Sequence, residues 1–251
     1  LNIWLSLVWL IAVFLLMSLL RRWIEAHVQG LAYLITGHPT VAIWVFFLVF
    51  LPGIMVHELS HWLAAKMLGV PTGRIVIWPQ AKRNNTVWLG TIQVGRADPL
   101  RSSLIGLAPL VTGSILVVLI GAHLRLDSLA NVLTTGQWET GWAALSQSIR
   151  LPDFWLWIYL IFAIANRMLP SPADREAWKP MALFLACLTA IAIAAGWTPR
   201  LGSDAQGVIR NIIGFLLYAF TLTVAIDLVM ALLITMMEGI VSLMRRQRVS
   251  Y

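Results

Sequence analysis

From Val41 to Val56 the chain carries no charged, hydroxyl or amide side chain, and the next five residues are His57-Glu58-Leu59-Ser60-His61. A helix that crosses a bilayer needs about 20 mostly apolar residues. The stretch 41–68 supplies them, and so do 3–20, 102–122, 153–170, 179–197 and 208–243. Charged residues make up 12% of the chain and hydrophobic ones 59%, whereas a soluble domain is about 25% charged. These stretches predict an all-α polytopic membrane protein with about six transmembrane helices. With no internal repeat and no insert large enough for a second unit, residues 1–251 read as one transmembrane domain.

One segment breaks the helical pattern. Gly73-Arg74-Ile75-Val76-Ile77-Trp78-Pro79 and Thr86-Val87-Trp88-Leu89-Gly90-Thr91-Ile92-Gln93-Val94 are rich in β-branched and aromatic residues, and Lys82-Arg83-Asn84-Asn85 forms a polar break between them. This pattern predicts a small β-hairpin over about 73–94, between the second and third spans. Its edge can either pair with an extended peptide or pack on the helices.

The net charge of +7 does not call for nucleic acid, because short loops on one side of a membrane protein collect Lys and Arg. With the N-terminus inside, the inner loops and tail hold eleven of these residues and the outer loops six, including Arg21 and Arg22. That bias predicts a multi-pass protein with N-in, C-in orientation. Leu1 to Leu20 lacks a basic leader and a small-residue cleavage site, so it reads as a retained span rather than a signal peptide.

Histidines four residues apart share a helix face, so His57 and His61 can grip one metal ion. Glu58 points towards the same pocket, where it can act as a base on a water polarised by the metal. This is the H-E-x-x-H pattern of zinc proteases. Ionisable side chains are costly in lipid and mark function or a buried partner. The single cysteine, Cys187, leaves histidines and carboxylates to hold the metal. A catalytic zinc takes three protein ligands. Candidates for the third are His27, His38, His123, Asp153, Asp174, Glu176, Asp227 and Glu238. Asp174 and Glu176 follow the inner end of the fourth span, at the depth expected for His57, and Asp174 is preferred.

Asn166-Arg167-Met168-Leu169-Pro170-Ser171-Pro172-Ala173-Asp174 adds a second pattern, and Ile105-Gly106-Leu107-Ala108-Pro109-Leu110 a third. Together with H-E-L-S-H, these make the chain resemble the site-2 protease family of intramembrane zinc metalloproteases over roughly residues 41–180. Members of that family carry H-E-x-x-H on one core helix. A later segment opens with Asn, passes through prolines and ends in the Asp that supplies the third ligand. The resemblance implies Zn2+ held by His57, His61 and Asp174, Glu58 as the catalytic base, and Asn166 holding the substrate or its oxyanion. It also implies a membrane protein substrate cut in or next to a transmembrane segment, in the lipid bilayer and among other membrane protein partners. The chain departs from the family in having Ala173-Asp174-Arg175 where Leu-Asp-Gly is usual, in a first proline one residue late, and in lacking the family's peptide-binding insert. Glu176 is then the reserve ligand. The competing reading is a protease-like membrane subunit that keeps the fold and assembles a larger complex without catalysis.

Two acids remain. Asp227 falls near the middle of the last span, where it can serve a gate or proton path, pair with Asn211, an Arg or a neighbouring subunit, or be protonated. Glu238 is expected to reach the interface or pair with Arg245.

Overall fold

A computed structural model describes residues 3–81, 87–88, 90–126, 138–176, 178–194 and 203–245. Its helices are α1 (Ile3–Thr36), α2 (Pro39–Met67), α3 (Pro99–His123), α4 (Trp138–Ile149), α5 (Phe154–Met168), α6 (Trp178–Ala194) and α7 (Ser203–Arg245). Between α2 and α3 lie four short strands, β1 (Thr72–Val76), β2 (Gln80–Ala81), β3 (Val87–Trp88) and β4 (Thr91–Val94). Two of the helix starts follow from local chemistry. Pro39 and Pro99 stand in the first turns of α2 and α3, where a missing N–H has no helical partner to lose. Asp98 caps α3 by accepting a hydrogen bond from Arg101 N at 3.0 Å.

Four helices have the length and composition to cross a membrane: α1, α2, α3 and α7. The pair α4 and α5, which meet at an angle of 104°, makes a fifth if it counts as one broken span. The expected stretches 153–170 and 179–197 correspond to helices of 15 and 17 residues, and residues 195–197 lie outside the described part. The first span departs most from expectation. Instead of ending at Leu20 it continues to Thr36, so Arg21 and Arg22 belong to a helix and not to an outer loop. At 1.5 Å per residue α1 is about 51 Å long, well beyond a hydrocarbon core of about 30 Å.

The expected hairpin is present as a small antiparallel arrangement, but its arms are broken. β1 pairs with β4 (Ile75 opposite Ile92), and β2 with β3 (Gln80 opposite Trp88). Pro79, which has no N–H for a ladder, interrupts one arm. Gly90, at φ +76°, interrupts the other. The expected turn Lys82–Asn85 lies outside the described residues.

In the bundle, α2 packs against α3 and α5, and α1 packs along α7. Phe50 and Phe162 meet at the centre of the α2–α5 contact, their rings 5.5 Å apart. Lipid offers helices little hydrophobic incentive to associate, so close packing and buried hydrogen bonds must supply it. Glycines provide that closeness. A Cβ on Gly53 of α2 would collide with the carbonyl of Ala163, and one on Gly113 of α3 with Met168. Phe14 meets Phe220, His27 faces Glu238, and the Arg245 guanidinium donates to Ile35 O, so α1 and α7 run in the same direction. Six crossings would send the first and last spans in opposite directions, and the shared direction departs from that expectation. Glu238 accordingly faces His27 at 4.0 Å, while Arg245 is engaged with Ile35.

Candidate metal centre

His57 and His61 stand one turn apart on α2, with their Nε2 atoms 3.2 Å from each other. Each ring is held from behind. His57 Nδ1 lies 2.7 Å from Arg167 O, and His61 Nδ1 lies 2.9 Å from Ile105 O. A carbonyl oxygen only accepts, so each Nδ1 carries the proton and each Nε2 of a neutral ring presents a lone pair. The two carbonyls are free for local reasons. Ile105 O would normally bond the N–H of the residue four places on, which is Pro109 and has none. Arg167 O belongs to the last turn of α5, whose carbonyls have no helical donor.

Asp174 completes the group from the loop after α5. Its Oδ1 is 3.1 Å from His61 Nε2 and its Oδ2 is 3.6 Å from His57 Nε2. The carboxylate is braced reciprocally by Ser171, whose N–H donates to Oδ2 at 2.7 Å and whose Oγ accepts from Asp174 N at 3.2 Å. Burial opposes charge on Asp174. When the two rings also carry a proton on Nε2, their contact and that of Ser171 outweigh it and hold the carboxyl below the usual carboxylate range. Arg175, where the family has glycine, is not among the residues with positive φ, so the turn needs no glycine after Asp174. The glycine that matters is on the neighbouring helix. A side chain at Gly106 of α3 would strike the Asp174 carbonyl.

His57, His61 and Asp174 form the one group of three or more such side chains, among the described residues, able to hold a metal ion. Donors about 2.0–2.1 Å from a tetrahedral zinc lie about 3.3–3.4 Å from one another. The separations of 3.1, 3.2 and 3.6 Å bracket that edge. Two lone pairs and a carboxylate converging on one point repel unless a cation is shared among them, so the donor set suits a metal. Glu58 is buried on the same helix and within electrostatic reach of all three. Gly90 passes directly over it, and a Cβ there would lie 2.9 Å from Glu58 Oε1.

His61 and Asp174, but not His57 or Glu58, line a cleft of about 860 Å³ together with Glu176, Ser102 and the β4 residues Ile92 and Val94. Glu176 thus lines the cleft without joining the metal group. Asn166 is only 1% exposed and lines no part of it. Its Nδ2 donates to Phe162 O and to Asp227 Oδ1, which gives Asp227 a partner on α5 rather than Asn211. His27 is stacked on Trp23, and His123 lies beside Asp153. His38 precedes α2.

Sequence reasoning missed a charged brace behind the site. Glu25 accepts from Arg21 Nε at 2.9 Å and from Arg167 Nη1 at 3.1 Å, and Arg21 also donates to Leu169 O at 3.2 Å. α1 therefore holds the end of α5 from which both Arg167 O and the Asp174 loop depart. An Arg and a Glu four apart in an apolar helix were the available signal.

A scan against models of known protein families matches none to this chain, and searches of curated proteins and of solved structures return no match either. The likeness to the site-2 protease family therefore rests on the motif residues alone.

Proposed function

We propose that the chain is an intramembrane zinc metalloendopeptidase that hydrolyses a peptide bond in or next to a transmembrane segment of a membrane protein. The observation that carries this reading is the convergence of two imidazole lone pairs and the Asp174 carboxylate beside buried Glu58, on helices of membrane-spanning composition. His57, His61 and Asp174 would hold the ion. Zinc, when bound, supplies a Lewis acid that acidifies water and polarises a carbonyl. Glu58 takes a proton on its carboxylate from the attacking water and returns it to the nitrogen of the leaving amine. β4 lies along the cleft wall, and among the described residues it pairs with β1 alone. That leaves an edge for main-chain hydrogen bonds to a stretched substrate.

Zinc content and turnover test this together. Purified protein is expected to hold one zinc per chain, and His57→Ala to lose it. Glu58→Gln is expected to keep the metal while cleavage of a panel of single-span reporter substrates falls about 10²–10⁴-fold. Protein that takes up no zinc would refute the proposal, and metal retained without turnover by the unaltered chain would favour the non-catalytic subunit.

A further inference from the structure

α5 and α7 meet inside the bundle at an amide and a carboxyl. Asn166 and Asp227 are each 1% exposed. Asn166 Nδ2 donates to Phe162 O at 3.0 Å and to Asp227 Oδ1 at 2.7 Å. An amide nitrogen has two hydrogens, so both are used. This also settles the orientation of the amide, because its oxygen, turned to that side, would face two acceptors. Two buried atoms of this pair then have no hydrogen-bond partner among the described residues, Asn166 Oδ1 and Asp227 Oδ2. Both accept, and neither can satisfy the other. The ion pairs among the described residues include no cation on Asp227. A bare carboxylate so placed is heavily penalised.

A single proton removes both defects. Placed on Asp227 Oδ2, it donates to Asn166 Oδ1 and closes a ring of two hydrogen bonds in which each side chain gives one and takes one. We infer that Asp227 is a neutral carboxylic acid locked to Asn166 in this reciprocal pair, and that the pair is a positioning device for the candidate metal centre. The second half rests on the metal reading; the first does not.

The link to the centre is one residue long. Asn166 immediately precedes Arg167, whose carbonyl fixes the His57 ring. The last turn of α5 is weakened where this matters, since Pro170 has no N–H to return to Asn166 O. The Asp227 contact from α7 and the Glu25 contact from α1 together hold a turn that its own backbone bonds do not fully secure.

The pair can be read by infrared difference spectroscopy on the full chain in lipid nanodiscs. Wild type minus Asp227→Asn is expected to show the C=O stretch of a protonated carboxylic acid at neutral pH, shifting in D2O. Absence of that band overturns the pair. Positioning is read from zinc affinity. Asp227→Asn is always neutral and can still donate to Asn166 Oδ1, so it is expected to stay within about threefold of wild type, whereas Asp227→Ala weakens binding about tenfold. If the Asn variant falls as far as the Ala variant, charge and not the pair is what matters, and the proposal fails. If the Ala variant binds zinc as wild type does, the positioning role fails. Asp227→Val replaces Asp227→Ala if the latter does not fold. A chain that binds no zinc at all removes the positioning role along with the metal reading, while the infrared band still decides the pair.

Discussion

Two polar clusters lie in one apolar bundle, and they solve the problem of burial in opposite ways. At His57, His61 and Asp174, each imidazole is pinned at Nδ1 by a backbone carbonyl, and the remaining lone pairs and charge point at one another beside an open cleft. Asn166 and Asp227 are each 1% exposed, and two of their acceptors have no donor among the described residues. Access makes the difference. A group that reaches a cleft can share an ion drawn from outside, whereas a sealed one must be neutralised by a proton already in place. The two clusters are joined through the end of α5, where Asn166 and Arg167 are neighbours.

The largest expected effect is on the open cluster. Asp174→Ala removes the proposed third ligand, and zinc affinity should fall more than about 100-fold, beyond the 10–100-fold that outer partners of a metal site command. Isothermal titration on the purified chain measures it, and affinity near wild type would show that Asp174 is no ligand. Gly106→Val comes next. It drives a side chain into the Asp174 carbonyl, and overpacking of this kind costs about 1–3 kcal/mol. A lowered melting temperature together with weakened zinc binding is expected, while a lowered melting temperature alone would separate the α3 contact from the site.

Pro109→Ala is smaller and more pointed. It returns an N–H to α3 that competes with His61 for Ile105 O, and zinc affinity should drop about tenfold with helix content unchanged or higher. No loss of affinity would mean that the carbonyl freed by Pro109 is not what fixes the ring. The smallest effect is at Asp98, the cap of α3. Its carboxyl is held below its ordinary value by the Arg101 N–H. The folded value lies below the unfolded one, so the stabilisation is present above the ordinary Asp value of about 3.9 and lost as pH falls through the folded value. Asp98→Ala should lower the melting temperature slightly at neutral pH and leave zinc binding untouched, and a change in zinc binding would tie the start of α3 to the centre.

Several parts of this arrangement were legible in the chain. Apolar runs announce membrane helices because the bilayer imposes length and composition on each segment separately. The i, i+4 spacing of His57 and His61 puts them on one face in any helix. Depth put both Asp174 and Glu176 level with His57, because the second and fourth spans were expected to run in the same direction, and Asp174 was preferred between them. Arg21 and Arg22 were placed in an outer loop because charge after an apolar stretch looks like the end of a span, and Glu25, one turn on from Arg21, was passed over. Glu25 is paired with Arg167, well over a hundred residues away. Asn166 was assigned to substrate through the resemblance, and no local pattern could have shown its partner on α7.

The sequence by itself determined that the chain contains helices of membrane-spanning length, that two histidines and a glutamate share one helical face, and that prolines free backbone groups near them. These are properties of single segments, set by spacing and by which residues lack an N–H. Only the tertiary structure decided what those freed groups meet: Ile105 O behind His61, Arg167 O behind His57, and Asp227 against Asn166. Such contacts depend on how α2, α3, α5 and α7 lie against one another, which is governed by glycine-permitted closeness and by buried hydrogen bonds between distant residues.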